Sequence, residues 1–355
     1  MQEGDEIKIK IRSKIKRGTQ KSSKCIPDGF SREILHDTFV IRGYPESIMR
    51  IFTIALAGLM AVLACTGCAS PRSQRPRKIL VLSKSSNYEH SAIHRTGDQL
   101  SVAEATLKTL GEKNNLEFTF TKDGGLFTAE NLAHYDAFLF YTTGDLTESG
   151  TDHNPPMPPG GKAALLAAIK QGKGFVGVHS ATDTFHSPGN RNIDAARFRN
   201  DGTNVDPYIQ MIGGEFIIHG GQQKARMICA DAKFPGMGAM PADFGPLEEW
   251  YSLKNFAGDL HVILAQDTAT MDKTGGNYCY DRPPYPATWA HWYGKGRVFY
   301  TSMGHREDVW SSPVFQQLLL GGVRWAVGDV NADVTPNLSR VAPKADQLPK
   351  YRPPN

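Results

Sequence analysis

From residue 78 onward, apolar runs and the breaks between them set out a clear order of elements. Ile79-Leu80-Val81-Leu82 is an unbroken apolar run, as a strand covered on both faces carries. A loop with Tyr88, His90 and His94 follows, and the spacing then predicts a helix over 98–111. Residues 116–121 alternate apolar and polar side chains, the period of a second strand. Residues 135–141 form the third strand, ending at Thr142-Thr143-Gly144-Asp145. The proline and glycine cluster at 155–161 reads as a loop, and the alanine-rich stretch 162–171 as a helix. Gly174-Phe175-Val176-Gly177-Val178 is the fourth strand and runs straight into His179-Ser180-Ala181. Later segments are richer in strand signals, at 225–229, 249–253, 261–265, 288–292 and 297–302. A closing helix over 313–327 presents Phe315, Leu318, Leu319 and Trp325 on one side, and prolines and charges across 329–355 suggest a loose tail.

Strands alternating with helices predict an α/β fold, a mostly parallel sheet flanked by helices. Ligands in such sheets bind beyond the carboxyl ends of the strands, which puts His90, Thr143, Asp145 and His179 on one rim. The turn at His179 has the form of a nucleophile elbow, G-x-S-x-G, which holds its central side chain out at the top of the sheet. Here that residue is an imidazole. A histidine cannot form the glutamyl thioester of an amidotransferase, and neither Cys229 nor Cys279 lies in an elbow pattern.

The segment 49–68 has the parts of an export signal: Arg50, an uncharged apolar run over 51–63, then Ala64-Cys65-Thr66-Gly67-Cys68. The run is too short to span a bilayer comfortably. The small residues before a cysteine resemble a bacterial lipobox, with Cys68, or else Cys65, as the lipidated residue. A plain secretory signal or an anchor is the competing reading. Residues 69–77 read as a polar tether. An export signal ought to begin a chain, so residues 1–48 are either a true extension or the product of a start assigned ahead of Met49, the reading favoured here. Ten of the 40 Lys/Arg and seven of the 36 Asp/Glu precede Met49, leaving 30 against 29. The remainder is nearly neutral and shows no basic stripe, which speaks against nucleic acid as a partner. Two cysteines beyond the signal are too few for a disulfide scaffold. They either pair in an oxidising compartment or sit apart in the core.

Four blocks carry a family resemblance: Gly177-Val-His179-Ser-Ala-Thr-Asp183-Thr-Phe185; Gly213-Gly214-Glu-Phe216-Ile-Ile-His219; Glu248-Glu249-Trp250-Tyr251; and Pro286-Ala-Thr-Trp289 through Gly304-His305. With Trp310 and the stretch 313–326 they resemble the trehalose-utilisation ThuA-like family over residues 78–328. The resemblance implies the class I glutamine amidotransferase-like (flavodoxin-like) architecture, with added strands in the second half. One departure is visible: the family pattern has proline after the second histidine, and this chain has Gly220-Gly221.

Histidine suits both acid–base work near neutrality and metal ligation. His179, His219 and His305, with a carboxylate from Glu249 or Asp183, can make a zinc-like divalent site with one open position. A hydrogen-bonded polar pocket without metal is the alternative, because no H-E-x-x-H spacing is present. His179, His305, Glu249 and Asp183 are the catalytic candidates; His90, Tyr251, Trp289, Thr143 and Asp145 are the substrate-binding ones. Alternation along a strand lets only one of Glu248 and Glu249 face the site, and His291 and Trp292 read as core. The loop 185–192 is a candidate cover for the pocket. The signal implies export, and the resemblance implies a protein that processes a sugar, by elimination or hydrolysis of a 3-keto-glycoside made by a partner sugar dehydrogenase. A non-catalytic sugar-binding lipoprotein on the same scaffold is the rival.

Overall fold

The computed structural model describes residues 75–189 and 195–353. The extension, the signal with Cys65 and Cys68, and most of the tether lie outside the described residues. No helix among the described residues is long and apolar enough to cross a membrane.

The strands in chain order are β1 (Arg77–Leu82), β2 (Leu116–Thr121), β3 (Ala137–Phe140), β4 (Gly174–Val178), β5 (Glu215–His219), β6 (Gln223–Lys224), β7 (Met227–Cys229), β8 (Leu247–Glu248), β9 (Tyr251–Lys254), β10 (His261–Gln266), β11 (Tyr285–Tyr293) and β12 (Gly296–Thr301). Eight of them form one sheet in the order β2-β1-β3-β4-β12-β11-β10-β7. Pairings from β2 across to β12 are parallel, and β11, β10 and β7 extend the sheet antiparallel. The parallel part has the doubly wound order whose direction reverses at β1/β3, where ligands bind past the strand ends. β5 pairs with β9, and β6 with β8, in two small ladders beside it.

Successive residues of β1 divide between the two faces, as strand geometry requires. Ile79 and Val81 join a core with Leu107, Phe315, Leu318 and Trp325; Leu80 and Leu82 join another with Leu165, Ile169, Ile209 and Ile212. The first helix runs Val102–Asn114 rather than from residue 98, because Ser101 and Glu104 close a capping box at its start. The closing helix, Pro313–Ala326, buries the four side chains expected of it.

The expected loose tail is docked instead. Ala342 and Ala345 are buried and pack on Tyr285, and Arg282 donates to the Ala345 carbonyl. β7 covers only Leu264–Gln266 of β10, so Val262 would face an open edge. Asn337 fills that gap: its Oδ1 accepts from Val262 N at 2.7 Å and its Nδ2 donates to Val262 O at 3.1 Å. Prolines and charges made the tail look loose, but it holds a short helix, Leu338–Val341, and the amide just before it pairs with the strand. Asn337→Ala leaves both peptide groups unpaired in a buried place, at about 1–3 kcal/mol each. A loss of roughly 2–4 kcal/mol in urea unfolding is therefore expected, and an unchanged midpoint would show the dock to be incidental.

Two further readings change. Trp292 is 44% exposed, lying beside Arg297 on the outer surface rather than in the core. Cys229 and Cys279 are unpaired, the first exposed and the second buried, where burial pushes its thiol up to about 12. His291 is core as expected, its Nε2 hydrogen-bonded to the Met211 carbonyl.

Candidate functional site

The carboxyl ends of β1, β4 and β12 bring three imidazoles into contact. His179 follows β4 in the left-handed region, φ 46°, the strained geometry an elbow imposes. Gly177 permits it, since a Cβ there would lie 2.8 Å from Ile212 Cδ1 and 3.0 Å from Tyr300 Cδ2. Tyr300 Oη donates to the His179 carbonyl at 2.7 Å. His179 Nδ1–H donates to the Ser302 carbonyl at 2.9 Å, which leaves Nε2 facing the cluster. Such an outer hydrogen bond is what orients a metal-ligating histidine. The expectation of an outward-standing side chain is corrected: the ring is wholly buried, with Tyr251 4.3 Å away between centroids. Its companions are nonetheless around it.

His90 is set by its neighbour Glu89, which accepts from Lys122 at 2.9 Å. Its ring lies 4.8 Å from that of His179 and 5.2 Å from that of His305, centroid to centroid. His305 follows Gly304, whose φ of 116° suits glycine. Glu248 accepts the N–H groups of Gly304 and His305 at 2.7 and 3.2 Å. Both acidic neighbours thus serve the site, against the expectation that alternation admits one. The strand is broken between Glu248 and Tyr251, so the two carboxylates need not alternate.

Glu249 ties the cluster together. Its Oε2 lies 3.1 Å from His305 Nδ1 and 3.6 Å from His179 Nε2, and its Oε1 3.3 Å from His219 Nδ1. The contact to His305 is within ion-pair distance but misaligned as a hydrogen bond, so His90 Nδ1, His179 Nε2 and His305 Nδ1 are all buried without a hydrogen-bond partner. Burial opposes ionisation of Glu249, yet His179 and His305 outweigh it and hold the carboxyl well below its ordinary range. Burial, helped by the His179 and His305 rings, pushes His90 down to about 2 and keeps it neutral.

One ligand atom from each of His90, His179, Glu249 and His305 lies within 4.8 Å of the others. Imidazole nitrogens gathered around an ionised carboxylate are the donor set of a zinc-like or related divalent ion. Three orphaned buried nitrogens could be satisfied by such an ion, and an unsatisfied buried polar atom is costly. The group whose ligand atoms lie together contains His90 where His219 was expected. His219 stands at the rim, its Nδ1 2.9 Å from the Gly220 carbonyl. The departure after it has a cause, since Gly220 N–H donates to Tyr280 Oη and Gly221 N–H to Asn277 Oδ1. A proline at position 220 would lack the first of these donors.

A cavity of about 380 Å³ opens on this cluster, lined by Tyr88, Asp183, Arg197, Phe216 and Tyr251 beside His90, His219 and Glu249. Asp183 faces it from the end of the elbow turn and begins a buried relay. His186 Nε2 lies 2.5 Å from Asp183 Oδ1, and His186 Nδ1 3.1 Å from Glu215 Oε1. Burial pulls the His186 ring down, but the two carboxylates outweigh it and raise it to about 9. Burial likewise opposes ionisation of Glu215, and His186 with Lys254 outweigh it, setting the carboxyl at about 2. An imidazolium is thus clamped between two carboxylates. Sequence reading missed His186 and Glu215; the i, i+3 spacing of Asp183 and His186 was the available signal.

Other candidates fall away from the cavity. Trp289 is fully buried in the core, donating to the Ile212 carbonyl, because its β11 position faces the helix-covered side. Thr143 is buried and absent from the cavity wall, its backbone engaged with Ser86 and Lys84. Asp145 lines an adjoining cavity. The loop after the elbow is no cover in its described part: Phe185 packs into the core and Ser187 donates to Glu215.

The ThuA family model, described as trehalose utilisation, matches residues 78–326. The chain belongs to the ThuA family. The match covers every strand past the first residue of β1 and every side chain of the cluster, which makes the protein carbohydrate-related by family. One solved structure agrees on the fold. A ThuA-like protein from Bacteroides uniformis is 18% identical, with a TM-score of 0.50 over 73% of this chain and 95% of its own. A ThuA-like protein from Parabacteroides merdae is also 18% identical, with a TM-score of 0.49 over 78% and 98%. No curated protein matches the chain in sequence.

Proposed function

We propose that this ThuA-family protein binds a divalent metal through His90, His179, Glu249 and His305 and cleaves a 3-keto-glycoside in the adjoining cavity. The observation that carries the reading is the set of orphaned imidazole nitrogens gathered around an ionised carboxylate. The cavity is near the lower end of the roughly 300–1,000 Å³ usual for small-molecule sites. Phe216 and Tyr251 offer ring faces for the apolar side of a sugar, and Asp183, His219 and Arg197 offer polar groups for its hydroxyls.

A cation held by His90, His179, Glu249 and His305 would supply Lewis acidity, which would polarise a 3-keto oxygen and acidify the proton on C2. Asp183, held by the His186–Glu215 pair, is the group placed to take that proton. The C2–H bond breaks, a C1–C2 double bond forms, and the C1–O bond breaks. The departing oxygen receives the proton from Asp183, so an enone and an alcohol leave with no other reactant consumed. Tyr251 and the buried histidine rings keep bulk water from the reacting face. A dehydrogenase acting on the glycoside must supply the ketone. Export and lipid attachment at Cys68, or at Cys65, belong to the same proposal.

Purified wild-type protein should contain about one divalent ion per chain by elemental analysis, and a screen of oxidised disaccharides should yield an eliminated or hydrolysed product. Metal-free protein that cleaves the ketone equally well would remove the metal from the reading. Tight binding with no product would favour a sugar-binding role instead.

A further inference from the structure

A second cavity, of about 230 Å³, adjoins the first. The two share Asn87, Asp183 and Arg197 in their walls, so these three side chains stand on the divide between them. Their chemistry differs. The first chamber carries the histidine cluster and the rings of Tyr88, Phe216 and Tyr251. The second is lined by Ser86, Asp145, Glu148 and His186 and has no aromatic hydrocarbon ring in its wall. Arg197 is largely buried, and its guanidinium is 5.3 Å from the Phe216 ring centroid, so the divide is a packed feature rather than a mobile surface chain.

We infer that the second chamber is the subsite for the departing sugar ring of an uncharged disaccharide, with the glycosidic oxygen lying over Asp183 and Arg197. This deepens the proposed function and rests on it. A ring bound in the first chamber by its apolar face and its ketone leaves its C1 substituent pointing toward the divide, where Asp183 handles the proton. The second ring then meets a wall of carboxylates, an amide and a hydroxyl, the groups that pair with sugar hydroxyls. The sign of the charge selects further. Asp145, Glu148 and Asp183 against Arg197 and the His186 ring leave the chamber without a net positive potential, which disfavours a phosphorylated or carboxylated ring. Asp145 is held in place by accepting from the N–H and hydroxyl of Thr147, so its position does not depend on a ligand.

Calorimetry on the metal-loaded Asp183→Asn variant, which should bind without turning over, tests this. An oxidised disaccharide should bind at least about tenfold tighter than the methyl 3-keto-glycoside that lacks the second ring, about 1.4 kcal/mol. Glu148 is exposed in a turn, so Glu148→Trp can fill the second chamber without disturbing the core, and it should bring the ratio of the two affinities to about one. Glu148→Phe repeats the test with a different shape, and thermal melting confirms folding. Equal affinities without the filling substitution, a ratio that filling leaves unchanged, or a phosphorylated disaccharide binding tighter than the neutral one would each overturn the inference. Turnover of the methyl 3-keto-glycoside by wild-type protein reads the proposed function separately: the subsite can fail while that turnover stands. Absence of turnover with a preserved tenfold ratio would sink the chemistry and support the two-chamber site.

Discussion

Glu249→Gln is expected to abolish stoichiometric metal retention and to lower turnover of a 3-keto-glycoside by about 10³-fold or more. The substitution keeps the shape of the side chain and removes its charge. Among the described residues, Glu249 is the carboxylate paired with His179, His219 and His305 together, so a neutral amide leaves these imidazoles without their anion. Lewis-acid stabilisation of a developing enolate is worth several kcal/mol, and each 1.36 kcal/mol is tenfold in rate, which sets the scale. Elemental analysis and single-turnover kinetics on the variant supply the check, with circular dichroism to show that it folds. His179→Ala should behave alike, since it removes the Nε2 that the Ser302 carbonyl orients. Wild-type metal content in Glu249→Gln would mean that the cluster is a hydrogen-bonded core feature, and the metal-dependent reading would go with it.

The fold was largely legible from the pattern of apolar runs. β1 to β4 and the closing helix emerge nearly where they were expected, because strands buried on both faces and a helix with one apolar face leave strong periodic signals. The elbow was legible for the same reason: Gly177 and His179 are local features of one turn. The site was legible in part. His179, His305 and Glu249 meet as expected, yet His90 rather than His219 completes the set. Which of two rim histidines turns inward depends on the loop after β1 and on Lys122 gripping Glu89, and no spacing in the chain encodes that. Trp289 shows the opposite limit. It sits in a block shared with the family, but its place in that block does not reveal which face of β11 it occupies, and the core claimed it. Asn337 lay in a stretch without periodicity, and its role arises only because β7 is too short to cover β10.

Asp183→Asn separates proton transfer from metal binding, and it carries the second large effect. Asp183 lies outside the four-ligand group, so the variant should keep its metal while kcat falls by about 10²–10⁴-fold, the usual contribution of a positioned general base. KM should move little, because the amide still offers a hydrogen bond to a sugar hydroxyl. The relay behind it predicts a graded partner effect. His186→Gln leaves the carboxylate in place but removes the ring that joins it to Glu215, so kcat should fall less than in Asp183→Asn, again with metal retained. A purely structural role for the relay would give a different signature: both variants would lower the melting temperature and would spare kcat in the fraction that remains folded. Loss of metal in Asp183→Asn would place that carboxylate with the ligands and remove it as the proton acceptor. The discrimination rests on a geometric fact: this carboxylate is committed on one side to an imidazolium between two anions and is open on the other to the cavity that the cluster of His90 and Glu249 also faces.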